Sequence, residues 1–386
     1  MKFLDFEVSE YQDRLARTQK KMAELGFDGL VVSDESNLIY LTGYRTILFG
    51  SKFRPFLAVV PQSGDITLVL PNLEVGIGRK TSWVEDVRGW GKGLYADAPD
   101  PYTLVGETLK EESLAKGKIG IELGNGMRLG MNQDQFEELK SNAPDVTWAN
   151  IADVMWPVRL VKSPQEAAYI RVACEATDIA WTAAAEACEV GKTEIEIADI
   201  IAHEMVTHAD GPAFLVVASG PDRYDMINAV PTDRKMQEGD MVCFDIGANY
   251  KHYWSDMSRV LYIGEPTERQ KGFHKAELEV FWAGVEAVKP GVTCEDVDQA
   301  CERKIDELGF KDYMLHRTGH ALGLDVHELP SVALGDKTVL EPGMVLTIEP
   351  GLYDFSIGAW RIEDTVLVSD DGYELLTNSE RDILVR

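Results

Sequence analysis

Basic residues are scarce in this chain: 38 Lys and Arg stand against 65 Asp and Glu, a formal net charge of −27. Phosphate binding needs a Lys/Arg surplus on some face, so the deficit excludes nucleic acid as a partner. An anionic membrane surface is disfavoured for the same reason. Long hydrophobic runs are missing too. No stretch of about 18 uninterrupted apolar residues exists, so no membrane span is expected. The opening segment MKFLDFEVSEYQDRL is broken by acids and lacks the basic start and apolar middle of a signal peptide. Cysteine is sparse: Cys174, Cys188, Cys243, Cys294 and Cys301 are odd in number, widely spread and without a C-x-x-C pair. They read as buried free thiols in a reducing cytoplasm. What remains is an ordinary globular composition, 45% hydrophobic and 27% charged over 386 residues. That length suits two domains and a large core, with most of the acids on a solvated surface.

The first third alternates helices and strands. Tyr11 to Leu25 has a helical pattern stopped by Gly26. Gly29-Leu-Val-Val, Phe56-Leu-Ala-Val-Val, Ile66-Thr-Leu-Val-Leu and Ile119-Gly-Ile read as strands, with helices at Asn37–Thr42 and Asn132–Lys140. This predicts an α/β domain over 1–155, with a boundary near Ile151–Lys162 and a second domain over 156–386. Ser163-Pro164-Gln165-Glu166 combines an N-cap serine, a proline at the first helical position and a capping-box glutamate. A long Ala-rich helix follows to about Glu189, then helices near Glu194–Thr207, Thr267–Val288 and Cys294–Leu308. Phe214–Leu261 and everything after His320 are strand-rich. The second domain is therefore α+β, with helices and strands in blocks.

Four acids break the apolar pattern of their own strands. Asp245 lies in Met-Val-Cys-Phe-Asp-Ile-Gly, and Asp256 follows in Tyr-Trp-Ser-Asp-Met. The Gly247-Ala248-Asn249 segment can turn the chain back, so that both aspartates face one point. Glu349 ends Met-Val-Leu-Thr-Ile-Glu, and Glu363 sits in Trp-Arg-Ile-Glu-Asp. Burying an ionised carboxylate costs several kcal/mol or more unless it is paired or bound to a metal. Only Arg259 and Arg361 are near in sequence as partners, so a cation site is the economical alternative. Two of only seven histidines, His320 and His327, lie close together in a Gly-rich apolar segment. Their spacing is not that of a helical zinc pair, and either can be a ligand or a satisfied core residue. Four carboxylates with one imidazole form a hard, oxygen-rich set suited to two divalent ions, Mn, Fe or Co rather than Zn.

These segments resemble the creatinase / aminopeptidase P / prolidase superfamily. The resemblance is carried by Phe244-Asp-Ile-Gly247, Ser255-Asp-Met-Ser-Arg259, Gly319-His-Ala-Leu-Gly-Leu-Asp-Val-His-Glu328, Leu340–Tyr353 and Arg361-Ile-Glu-Asp364. Asn37-Leu-Ile-Tyr-Leu-Thr-Gly43 is similar to the creatinase-type N-terminal domain. The implied fold is an α/β creatinase-like N-terminal domain followed by an α+β pita-bread catalytic domain. The resemblance implies Asp245, Asp256, His320, Glu349 and Glu363 as ligands of two metals, with a metal-bridging hydroxide as nucleophile. It gives Glu349 the proton transfer and His327 the substrate carbonyl or the intermediate, and it places Tyr353 and Arg361 against the substrate. The implied activity is that of an Xaa-Pro dipeptidase in the cytoplasm.

One position departs from the pattern. Where these peptidases carry a histidine, this chain has Asn228, in Ile-Asn-Ala-Val-Pro-Thr-Asp-Arg. An amide donates a hydrogen bond but cannot shuttle a proton at neutral pH. The alternative is therefore other metal-dependent chemistry on a small molecule, such as a dimethylsulfoniopropionate lyase or a creatinase- or ectoine-hydrolase-like reaction. The segment Phe49-Gly-Ser-Lys52-Phe-Arg54 packs aromatics and cations together. By resemblance it reaches the active site of the partner in a homodimer and holds a substrate carboxylate.

Overall fold

The computed structural model describes residues 2–93 and 98–386, which divide into two compact units, Met1–Arg159 and Leu160–Arg386. In the first unit the strands are β1 (Gly29–Val32), β2 (Leu57–Pro61), β3 (Thr67–Pro71), β4 (Asp86–Trp90), β5 (Lys118–Ile121) and β6 (Thr147–Asn150). They form one mixed sheet in the order β4-β3-β2-β1-β5-β6. The helices are α1 (Val8–Leu25), α2 (Glu35–Thr42), α3 (Val75–Thr81), α4 (Pro101–Glu111), α5 (Gln133–Asn142) and α6 (Ala152–Leu160). Val31, Val59, Val69 and Ile119 of the central strands pack on Val105 and Leu109 of α4 and Leu139 of α5. Near-continuous apolar strands fit a sheet covered on both faces. The segment expected to be a boundary, Ile151–Lys162, is largely helix α6, which tolerates Pro157 inside it.

The second unit starts with α7 (Pro164–Ala187), and the Ser163 capping box forms as its sequence predicts. Then come α8 (Glu194–His208), β7 (Gly211–Ser219), β8 (Met241–Tyr250), β9 (Tyr253–Trp254) and β10 (Met257–Tyr262). Next are α9 (Glu268–Ala287), α10 (Cys294–Leu308), β11 (Gly319–Ala321), β12 (Glu328–Val332) and β13 (Val345–Ile348). The chain finishes with β14 (Gly351–Asp354), β15 (Gly358–Arg361), β16 (Asp364–Val368) and β17 (Tyr373–Leu375). One sheet runs β10-β8-β7 with β9 on β8; a second runs β12-β11-β13-β16-β17; β14 and β15 pair separately.

Each main sheet of this unit is covered by a helix pair. Trp181 of α7 and Ile197 and Ile201 of α8 pack on Val242, Phe244 and Ile246 of β8. Phe281 and Val285 of α9 and Val297 of α10 pack on Leu346, Ile348 and Val366. The two pairs are built alike. Thr193 caps α8 and Thr293 caps α10, both with capping boxes. Gly191 donates its amide to Met236 as Gly291 does to Leu340, each at 2.9 Å. Four cysteines are buried, Cys243 is half-buried, and all five are free thiols.

Candidate metal centre

Strand alternation decides where Asp245 points. Val242, Phe244 and Ile246 face α7 and α8, so Asp245 must face the opposite side of β8. Asp256 comes from the return limb of the same hairpin, in which Ser258 of β10 pairs with Asp245. The turn is not at Gly247–Asn249, as the sequence suggested, because β8 runs on to Tyr250. Lys251 and His252 make the turn with positive φ, +52° and +68°. Thr365 of β16 holds Asp256 in place: its Oγ1 receives the Asp256 amide at 3.1 Å and donates to the Asp256 carbonyl at 2.8 Å.

The other three donors come from the second sheet. His320 lies on β11, its amide donating to Thr347 Oγ1 at 3.1 Å. Gly319 allows β11 to approach β13 this closely, since a Cβ there would lie 2.1 Å from the Thr347 carbonyl. Glu349 follows β13, its amide held by the Thr318 carbonyl at 2.7 Å. Glu363 falls between β15 and β16, its amide held by the Ser258 carbonyl at 3.2 Å. Ligand atoms of Asp256, His320 and Glu363 lie within 4.8 Å of one another. His320 Nε2 is 3.2 Å from Glu349 and 3.7 Å from Asp256.

The chemistry of these donors fits divalent cations. His320 Nδ1 donates to the Ala321 carbonyl at 3.0 Å, so Nε2 is the ring atom turned toward the acids, where a cation would take the place of its proton. Asp245 Oδ1, Asp256 Oδ1 and Glu363 Oε1 are buried with no hydrogen-bond partner. Orphaned buried carboxylate oxygens are costly and call for a cation. Burial first, then repulsion from Glu363, Asp245 and Glu349, pushes Asp256 well above the usual carboxylate range. Burial, then Glu349 and Asp245, does the same to Glu363. Asp245 rises for burial above all, against the pull of Arg361. Glu349 differs: burial opposes its ionisation, but His320 draws it down to about 2.

The donors line a cavity of about 520 Å³ whose lining comes entirely from the second unit. Asn228, His327, His316, Arg317, Trp254, Phe214 and Arg361 share that lining. The ring of His327 lies 4.1 Å from that of His320. Partial burial and that neighbour push His327 down to about 4, so it is neutral at pH 7. Arg361, expected against the substrate, forms a short ion pair with Asp245, and its Nε donates to Ser258 Oγ at 2.9 Å. That hydroxyl donates in turn to Glu363 at 2.7 Å, so the arginine supports two ligand carboxylates. Arg259, the other nearby cation, is spent on Asp364 at 2.6 Å. Tyr353 lies beside the cavity, 2.6 Å from His316 Nε2. His316 Nδ1 faces the Arg317 carbonyl at 2.8 Å and must donate to it, so the Tyr353 hydroxyl donates to Nε2.

His316 and Arg317 were not singled out from sequence. The signal was available, because they stand directly before the Thr318-Gly319-His320 motif. Phe49, Lys52 and Arg54 belong to the first unit. Phe49 stacks edge-on against Tyr44 and Phe56, while Lys52 and Arg54 line a separate cavity with Gly130, Asn132 and Gln135.

Comparison with known proteins agrees with this geometry. The sequence pattern of metallopeptidase family M24 matches residues 168–370, and that of the creatinase/prolidase N-terminal domain matches residues 14–161. An Xaa-Pro dipeptidase of Pyrococcus furiosus is 33% identical over 97% of this chain and 100% of its own. The crystal structure of a dipeptidase from Pyrococcus horikoshii superposes with a TM-score of 0.87 at 30% identity, over 97% of this chain and 100% of that one. A prolidase from Thermococcus sibiricus gives 0.87 at 31% identity, over 97% and 99%. With a creatinase-type N-terminal domain and a pita-bread domain carrying the donor cluster, the chain belongs to metallopeptidase family M24 and is a metal-dependent peptidase.

Proposed function

We propose that this enzyme hydrolyses Xaa-Pro dipeptides with two divalent ions held by Asp245, Asp256, His320, Glu349 and Glu363. The observation that carries the reading is the set of orphaned carboxylate oxygens facing a dipeptide-sized cavity. The donor set is hard, which favours Mn, Fe or Co over Zn. Bound there, the ions supply Lewis acidity, lowering the pKa of a water and stabilising charge on the attacked carbonyl oxygen. Glu349 would take a proton from the attacking water and pass it to the leaving amine. His327 is neutral and offers a hydrogen bond to the substrate carbonyl without adding charge. Asn228 lines the same space, where its amide can donate an N–H to substrate but cannot shuttle protons. Arg317 lines the cavity and has no carboxylate partner among the described residues, so it is placed to take a substrate carboxylate.

Relatives named as dipeptidases do not favour the lyase or creatinase-like alternative. The reading includes a homodimer in which Phe49, Lys52 and Arg54 of one copy close the cavity of the other. Ile47 and Phe53, in the same segment, are 97% and 86% exposed, as a docking loop requires. The free thiols, and the lack of any described helix long and apolar enough to cross a membrane, suit the cytoplasm. The test is metal analysis of the purified protein together with a screen of Xaa-Pro dipeptides, longer peptides and small zwitterions. Two ions per chain with turnover of Xaa-Pro dipeptides are expected. A loaded protein that cleaves only zwitterions would overturn the reading.

A further inference from the structure

Asn228 reaches the cavity on the segment 220–232, which has no helix or strand between β7 and β8. The middle of this segment is exposed at Met226 and Val230, and the Asn228 side chain makes no hydrogen bond among the described residues. Tyr224 anchors the loop's outgoing half, buried with its hydroxyl accepting the Met241 amide at 3.0 Å, and Ile227 packs on the same cluster. The two ends are held separately from this anchor. Both ends converge on one carboxylate, that of Glu194, the first residue of α8, which has no exposed surface. On the outgoing side, the Ser219 amide and hydroxyl donate to Glu194 Oε1 at 2.8 and 2.9 Å. On the return side, the Thr232 amide and hydroxyl donate to Oε2 at 2.9 and 2.7 Å. The Arg223 guanidinium lies 3.1 Å from Glu194, and its Nη2 donates to the Val230 carbonyl at 2.9 Å. The cation beside the clamp thus also joins the two limbs of the loop. Gly220 starts the turn at φ +80°, where a Cβ would lie 1.9 Å from the Arg234 guanidinium.

The second helix pair of this unit supplies an internal control. α10 starts from a threonine cap just as α8 does, and both helix starts add backbone bonds to the chain that crosses them. At the position corresponding to Glu194, α10 carries Cys294, buried in an apolar cluster. The shared architecture therefore does not require a carboxylate there. α10 instead uses the next residue, Glu295, to take the Gly335 amide at 3.1 Å from the chain that crosses it. Of these two helix starts, the fully buried carboxylate that takes both limbs of one loop lies beneath the loop that enters the cavity.

We propose that Glu194 is a positioning residue: by pinning both ends of the 220–232 loop it holds Asn228 at the cavity, and so governs turnover without governing metal binding. This rests on the hydrolase reading above. The experiment measures kcat, KM and metal content with an Xaa-Pro dipeptide for the wild type, Glu194→Ala, Asn228→Ala and the double variant. Misplacement by about 1 Å is enough for large rate losses, so each single variant should lower kcat by at least about 10-fold. Metal content and KM should stay unchanged, and the double variant should be no slower than the worse single one. Multiplicative losses, about 100-fold in the double variant, overturn the proposal. So does loss of metal in Glu194→Ala, or wild-type turnover in either single variant. Thr232→Val, which removes one donor and leaves the buried carboxylate, covers the case in which Glu194→Ala does not fold. Its smaller loss of kcat should vanish in the Asn228→Ala background, and a persisting loss overturns the proposal. Wild-type turnover in Asn228→Ala removes only this inference; a metal-loaded wild type without dipeptide hydrolysis removes the function reading as well.

Discussion

Glu122 in the first unit and Asp256 in the second are both carboxylates in the interior, 1% and 4% exposed. Their surroundings differ in one respect. Glu122 accepts from the Ser33 amide at 3.1 Å, the Ser33 hydroxyl at 2.8 Å, and the Asp34 amide and Asn37 side chain at 3.3 Å each. Both of its oxygens are occupied, and it closes the N-terminal end of α2. Asp256 Oδ1 has no partner, and the charges that weigh most on its carboxylate are those of further acids. A buried acid whose oxygens are all bonded belongs to the fold. One that keeps an oxygen free beside other acids waits for a cation.

Breaking the second arrangement should have the largest consequence. Asp256→Ala is expected to lose bound metal and to lower kcat by about 10³-fold or more, measured by metal analysis and dipeptide turnover. Full turnover in that variant would erase the distinction between the two acids. Removing divalent ions with a chelator should cost roughly 3–4 kcal/mol of stability when the ions had been present at 100 to 1,000 times their Kd. Calorimetry reads this as a fall in Tm, and an unshifted Tm would put the acid cluster in the same class as Glu122.

The first arrangement breaks through pH. Burial, and then the charge of Asp34, pushes Glu122 up to about 7 from 4.5. Because the folded-state pKa is raised, its stabilising contribution is complete below pH 4.5 and is lost as pH rises through about 7. The loss is about 3 kcal/mol. Glu122→Gln should remove that part of the slope from denaturant unfolding curves across this window, and a wild-type slope in the variant would show that Glu122 titrates normally. Two smaller effects probe the cavity and the loop. Asn228→His should raise Xaa-Pro turnover by about 10-fold if only a proton carrier is missing. Arg54→Ala should raise KM for a carboxylate substrate roughly 3-fold, and an unchanged KM would detach that loop from the site.

Local chemistry was legible wherever a single segment carried it. The capping box at Ser163 starts a helix as its spacing requires. Gly26 ends α1 in the left-handed conformation. The acid interrupting an apolar strand at Asp245 was visible, and the packing of β8 turns it away from its apolar neighbours. Less was visible where the signal is short or shared. Helices α3, α4 and α6 and strands β4 and β6 were not read, because brief or weakly patterned segments resemble loops. The turn at Lys251–His252 lacks the glycine that usually announces a positive φ. His316 and Arg317 sit in a connection whose direction depends on the strands around it.

The residue types and their order along the chain carry the resemblance that names the fold and the family, and they mark candidate cation ligands, because burying an acid in an apolar strand is costly. Partnership was decided only by the tertiary structure. It committed Arg361 to Asp245, left the facing oxygens of Asp256 and Glu363 free, and drew both ends of the Asn228 loop onto Glu194. The reason is physical: whether a charge is satisfied depends on atoms brought within about 3 Å of it, and those come from residues far apart in the chain.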